Sequence, residues 1–66
     1  MKHQWKGAVI FSDVSTWDQV GPAFIGEVIA EDKAEAMREL RRMAWDQLDS
    51  RINDVTSEII HVERIR

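Results

Sequence analysis

One segment in the middle of the chain, residues 31–52, constrains the fold more than any other. Its apolar residues recur at steps of three and four, the spacing that places side chains on one side of an α-helix, and the residues between them are charged. Asp32 and Glu35 form a capping-box-like pair at which such a helix begins. The sequence therefore predicts an amphipathic helix of roughly five turns. Its predicted buried stripe consists of Ala36, Met37, Leu40, Met43, Ala44, Leu48 and Ile52.

The segments on either side of this helix predict strands. Before it, QWKGAVIFSDV and AFIGEVIA are rich in β-branched and aromatic residues, and the loop between them ends at Gly21 and Pro22. After it, Asn53 and Asp54 favour a turn, and TSEIIHVERIR predicts a closing strand. The order predicts an α+β fold with a single domain over residues 1–66. This β-β-α-β domain has a three-stranded antiparallel sheet of order 2-1-3, with one helix packed on one face.

The length of the chain limits how much core it can build. A core in a chain of 66 residues rarely contributes more than about 3 to 5 kcal/mol. Because the chain has no cysteine, disulfides cannot supplement this core, and self-association is the remaining common supplement. The apolar run at residues 7–11 is too short for a signal peptide, and no stretch approaches the ~18 to 20 apolar residues of a membrane span. We therefore expect a soluble, cytoplasmic protein.

Apolar residues are predicted on both faces of the sheet, although the helix can cover only one. Strand alternation predicts that the helix-facing residues are Phe24, Val28, Ala30, Ile60 and Val62. The outer face then receives Ile25, Ile29, Ile59, Ile65 and either Ile10 or Phe11. Uncovered apolar surface is typical of an interface, so Ile25, Ile29 and Ile59 predict self-association as a homodimer. A one-residue register shift in the third strand, or a loop folded over this face, is the alternative.

The tripeptide Trp-Asp-Gln occurs twice, beginning at Trp17 and at Trp45. The two copies agree nowhere else, whereas a structural repeat would carry the same periodicity in both, so we interpret the match as chance. Trp45 is predicted to pack at the edge of the core against a strand end. Trp17 lies in the loop between the first two strands, where STWD could cap a short helical turn. Its indole either closes the end of the sheet or contacts a partner.

Enzymatic chemistry has little support in the residues present. The chain has two histidines, His3 and His61, and it lacks cysteine, tyrosine, a glycine-rich phosphate loop and a serine in a nucleophile turn. His61 and Glu63 share one strand face, but two ligands are too few for a metal site, and an ion pair is the commoner meaning. We therefore expect no catalytic residues, no cofactor and no metal site.

Two classes of function remain. Trp17 and the helix arginines Arg38, Arg41 and Arg42 belong to the residue types most enriched among interface hot spots, and they predict a protein-binding surface. The alternative is a nucleic-acid-binding protein, in which these arginines contact phosphates and an exposed Trp stacks on a base. Acidic residues are interleaved with the arginines and can pair with them, which favours a solvated helix face carrying ion pairs over a phosphate-binding surface. The net charge of -3 does not separate the two classes.

The passage GEVIAEDKAEAMRELRRMA, in a chain with this order of elements, resembles many very small phage-encoded proteins, including anti-CRISPR and other anti-defence inhibitors. The resemblance covers most of the chain and rests on size and architecture. It implies a stoichiometric inhibitor that blocks a host defence complex by occupying a surface. It transfers no functional role to any individual residue.

Overall fold

The computed structural model describes all residues, 1–66, and confirms the predicted order of elements and the α+β class. The elements are β1 (His3–Asp13), β2 (Phe24–Ala30), α1 (Lys33–Gln47) and β3 (Val55–Arg64). The strands form one sheet of order β2-β1-β3 in which both pairings are antiparallel, and α1 packs on one face. No helix in the chain has both the length and the apolar character needed to cross a bilayer.

Helix α1 begins where the sequence predicts and ends earlier. The Oδ1 atom of Asp32 accepts a hydrogen bond from the Glu35 amide at 2.8 Å, as in a capping box. The Glu35 carboxylate lies 3.5 Å from the Glu31 amide rather than on Asp32, so only half of the predicted box forms. Leu48 is already extended, and the Asp49 carboxylate stabilises the following turn by accepting hydrogen bonds from Arg51. The predicted fifth turn is therefore wrong, and Ile52 lies outside the helix.

The core lies between α1 and the sheet. Ala36, Leu40 and Ala44 follow one another at four-residue steps and are fully buried, which confirms the centre of the predicted stripe. The sheet residues buried with them are Val9, Phe11, Val28 and Ala30. Met43 and Leu48 pack partly buried at the edge of this core, and Met37 is half-buried on the flank of the helix. With alanine on both sides of Leu40, the helix can approach the sheet closely.

The closest approach is at Gly7, in the central strand. A Cβ atom at this position would lie 2.5 Å from Cδ1 of Leu40 and 2.6 Å from the carbonyl oxygen of His61. Gly7 pairs with Gly26 of β2, and the two glycines provide the recess that Leu40 occupies. The ring of Phe24 lies over Gly26, where an added Cβ would be 2.7 Å from it. Gly7 is therefore required by the packing of Leu40 on the sheet.

A β-bulge in β3 changes which isoleucines face the helix. Ala8 pairs with His61 and Val9 pairs with Ile59, so Ile60 is left between them without a partner. Ile59 packs against the core, whereas Ile60 is 54% exposed. The prediction that Ile59 lies on the outer face is wrong, and Ile60, predicted to join the core, instead borders a concavity at the edge of α1. Strict alternation cannot account for the extra residue.

Candidate functional site

The loop between β1 and β2 extends the hairpin beyond the sheet. The Asp13 amide donates to the Asp18 carbonyl at 2.9 Å, and the Val20 amide donates to the Phe11 carbonyl at 2.8 Å. Residues 14–17, here called the hairpin tip, are all exposed. The molecule is 40 Å long and 17 to 19 Å across, in keeping with one long hairpin.

Asp13 fixes the conformation of the hairpin tip. Its Oδ1 atom accepts hydrogen bonds from the amides of Ser15 at 2.7 Å and Thr16 at 3.1 Å, and these bonds lower the pKa of the Asp13 carboxyl. The Trp17 amide donates to the Asp13 carbonyl at 2.8 Å and closes a single turn. A short turn is present as predicted, but Asp13 caps it, and it precedes Trp17.

Trp17 combines two properties that each need an explanation. Its indole is 68% exposed, and its backbone has φ 63°, in the left-handed region. For a bulky L-residue that conformation costs on the order of 1 to 2 kcal/mol, which glycine would avoid and asparagine would reduce. Neither burial nor backbone preference therefore accounts for a tryptophan at this position.

The three helix arginines differ in their surroundings. Arg42 donates to Glu39 at 2.8 Å and to Asp46 at 3.1 Å, and the bond to Glu39 raises the pKa of Arg42. Arg38 and Arg41 form no ion pair. Glu35 pairs with Lys2 and Glu39 with Arg42, and no acid stands three or four residues from Arg41. The predicted neutralisation by neighbouring acids therefore holds for Arg42 alone.

The arginines also occupy two sides of the helix. Arg38 and Arg41 line a shallow concavity with Met37, and Met37 borders a second concavity next to Ile59–Val62 of β3. Arg42 instead borders a concavity next to residues 27–29 of β2. The structure therefore brings Arg38 and Arg41 together and separates Arg42 from them. No hydrogen bond or ion pair connects the hairpin tip to α1.

The outer face of the sheet carries apolar and charged rows. Ile25 and Ile29 are 60% and 58% exposed, in agreement with their predicted positions. Between them, one row across the three strands contains Glu27, Lys6 and Glu63. The prediction left Ile10 and Phe11 as alternatives, and the structure places Phe11 in the core, so alternation places Ile10 on the outer face. The exposed apolar surface is therefore interrupted, and Ile59 does not belong to it.

Trp45 and His61 each contact another side chain of the same molecule. The ring of Trp45 packs edge-to-face on Phe11 with centroids 4.8 Å apart, which confirms its predicted position at the core edge. The two Trp-Asp-Gln copies therefore lie in a loop and in a helix. Nε2 of His61 lies 3.4 Å from Oε1 of Glu63, the surface ion pair that their spacing predicted.

Sequence reasoning missed two members of the surface around Arg41. Lys33, Met37, Arg41 and Trp45 follow at four-residue steps and therefore project from one side of α1. That spacing is readable in the sequence, although the sequence-based prediction places Trp45 only at the core edge and Lys33 on no surface.

Comparison of the chain with protein-family models, curated proteins and solved structures finds no match. The function is therefore proposed from the chain's own residues.

Acidification is expected to loosen the hairpin tip at an unusually low pH. The folded-state pKa of Asp13 lies below its ordinary value of about 3.9, so its hydrogen bonds persist above that value. They are lost as the pH falls through the lowered pKa. In an NMR titration, the Ser15 and Thr16 amide signals should move with a midpoint below about pH 3.9. The Asp13→Asn variant should lack this transition, and a midpoint at or above the ordinary value would contradict the hydrogen-bonded tip.

Proposed function

We propose that this protein is a small non-enzymatic protein-binding module, and that its partner contacts Trp17 at the hairpin tip. The observation that carries the proposal is the exposed indole of Trp17, presented from a backbone conformation that disfavours tryptophan. Tryptophan is among the residues most enriched in interface hot spots. The helix arginines Arg38, Arg41 and Arg42 provide further contacts in this proposal.

The hairpin tip is suited to binding because it is ordered before a partner arrives. Asp13 accepts hydrogen bonds from two amides of the tip and, through its carbonyl, from the Trp17 amide. A side chain held on a fixed backbone loses less conformational entropy on association than one on a mobile loop. Val14 of the hairpin tip is also exposed and adds apolar area to the surface that Trp17 presents.

We extend the proposal to a specific mode of action, inhibition of a host defence complex by occupation of a surface. The support is the resemblance in size and β-β-α-β architecture to phage-encoded inhibitors. A rigid scaffold 40 Å long can cover a functional surface of a larger complex without any chemistry of its own. In this proposal the protein acts in the cytoplasm and needs no cofactor.

Binding is expected to depend on Trp17 and on the arginines, while stability does not. Capture from a lysate of the native host, followed by mass spectrometry, supplies the partner for measurement. Trp17→Ala, and separately Arg38→Glu with Arg42→Glu, should weaken the purified complex by more than about 1 kcal/mol and leave the melting transition nearly unchanged. Full binding by both variants would exclude these residues and direct attention to the sheet.

Nucleic-acid binding is the second candidate, favoured by the absence of ion pairs at Arg38 and Arg41. Phosphate contacts release counterions, so affinity for DNA or RNA falls steeply with salt. A protein interface centred on an indole loses little affinity between low and high salt. A salt series on the captured complex separates the two candidates.

We also propose that the outer sheet face mediates homodimerisation. Ile25 and Ile29 are more than half exposed, and a second copy would remove both from water. Ile25→Lys or Ile29→Lys should give a folded but smaller species in sedimentation velocity, because a lysine at either position faces solvent in the monomer. Val14→Lys, at the hairpin tip, is the matched control and should sediment like the wild type. A wild-type monomer at high micromolar concentration would exclude this dimer.

A further inference from the structure

One side of α1 carries cations without acidic partners. Lys33, Met37, Arg41 and Trp45 form a row at four-residue steps, and Arg38 lies beside it, one turn after Lys33 and Ala34. We call these five residues, Lys33, Met37, Arg38, Arg41 and Trp45, the basic flank. None of its three cations has a carboxylate within ion-pair distance.

The acidic residues of the helix form their ion pairs with cations outside the basic flank. Glu39 and Asp46 bind Arg42, and Glu35 pairs with Lys2. At about 100° per residue, these acids are displaced by a third of a turn or more from Arg41, the centre of the row. The chain as a whole has a net charge of -3, so three unpaired cations on one flank are not a consequence of a basic composition.

The basic flank adjoins apolar surface. Met37 is half-buried and borders both the concavity of Arg38 and Arg41 and the concavity along Ile59–Val62 of β3. Ile60, displaced by the β-bulge, is 54% exposed in the second concavity. Trp45 is 44% exposed at the far end of the row. Cationic side chains therefore border a discontinuous apolar strip between α1 and β3.

We propose that the basic flank binds an acidic segment of the partner protein that also carries apolar side chains. Carboxylates of the segment pair with Lys33, Arg38 and Arg41, and its apolar side chains cover Met37, Ile60 and the open part of Trp45. Arg is suited to this role because its guanidinium can bind a carboxylate through two parallel hydrogen bonds. The inference rests on the proposed function, since it specifies the chemistry of the same protein partner.

The surroundings favour an acidic protein segment over a nucleic acid. A nucleic acid extends beyond three cations, and the adjoining side of the helix carries Glu39 and Asp46. These carboxylates repel a continuous polyanion, whereas a short segment can end before reaching them. Met37 and Ile60 also provide apolar contacts that phosphates and sugars do not use.

The test uses a labelled six-residue peptide of alternating Glu and Leu, which offers three carboxylates to the three cations, with an oligo-dT of equal charge as the competing probe. Fluorescence anisotropy should show that Arg38→Gln with Arg41→Gln weakens peptide binding about tenfold. The matched comparison is Arg41→Gln against Arg51→Gln, because both make the same chemical change and Arg51, which pairs with Asp49, lies beyond the end of α1. Arg41→Gln should weaken binding and Arg51→Gln should change it by less than about twofold.

The three tryptophan indoles provide an independent readout by NMR. On peptide addition the indole N–H signal of Trp45 should move, while that of Trp17 at the hairpin tip stays in place. Trp17→Ala should leave peptide affinity unchanged, so loss of the Trp17 contact and loss of the basic flank are separable. The inference is overturned if the wild type does not bind the peptide, if Arg51→Gln weakens binding as much as Arg41→Gln, or if oligo-dT binds more tightly. The proposed function survives each of these results provided that the captured protein still requires Trp17.

Discussion

Leu40→Ala is expected to lower the free energy of unfolding by about 2 to 5 kcal/mol, most or all of the stability that a domain of this size possesses. Leu40 is completely buried and fills the recess above Gly7 and Gly26. Its neighbours along the helix are alanines, which cannot expand into the space, so a cavity remains after truncation.

Urea unfolding followed by far-UV circular dichroism measures this change. Met37→Ala is the control, because Met37 lies on the same helix but is half-buried on its flank. It should cost less than about half as much as the Leu40 substitution. Near-wild-type stability of the Leu40→Ala variant would show that the helix packs through a different face.

Gly7→Ala is expected to cost about 3 kcal/mol, although alanine is ordinarily the more favourable residue in a strand. The added Cβ would lie 2.5 Å from the Leu40 side chain and 2.6 Å from the backbone carbonyl oxygen of His61. The leucine can change its rotamer, but the carbonyl belongs to the neighbouring strand and can move only with the sheet.

The double variant Gly7→Ala with Leu40→Ala separates the effect of the Leu40 contact from that of the His61 carbonyl contact. Removing the Leu40 side chain relieves one of the two close contacts, so the double variant should be more stable than the sum of the single changes predicts. Gly26→Ala is the matched control, because its Cβ closely approaches only the ring of Phe24, a side chain that can rotate. Equal stability of Gly7→Ala and wild type in urea would show that α1 lies farther from the sheet.

The architecture could be predicted because it follows from residue spacing. The three- and four-residue steps around Leu40 indicate a helix, and β-branched segments before and after it indicate strands. Two features could not be obtained in this way. The β-bulge at Ile60 depends on pairing with β1, and the early end of α1 depends on the turn that Asp49 stabilises with Arg51. Both are set by interactions between residues and not by the hydrophobic pattern.

The candidate site could be predicted only in outline. The sequence identifies Trp17 as a loop residue, but its left-handed backbone and exposure result from the hydrogen bonds of Asp13. In the sequence the helix arginines form one group with respect to ion pairing, because acids occur on both sides of them. In the folded protein Glu35 pairs with Lys2, and Glu39 and Asp46 pair with Arg42. Arg38 and Arg41 are left without ion pairs. Such choices among partners depend on side-chain geometry.

The most direct test of the proposed function is the affinity of Trp17→Gly for the captured partner, measured by calorimetry beside its thermal unfolding. Glycine suits the left-handed backbone at this position and removes only the indole, so the variant should melt at or slightly above the wild-type temperature. Its affinity should fall by more than about 1 kcal/mol, roughly fivefold, as expected for the loss of an interface tryptophan. An unchanged affinity in a variant that remains folded would contradict the assignment of the hairpin tip as the binding site.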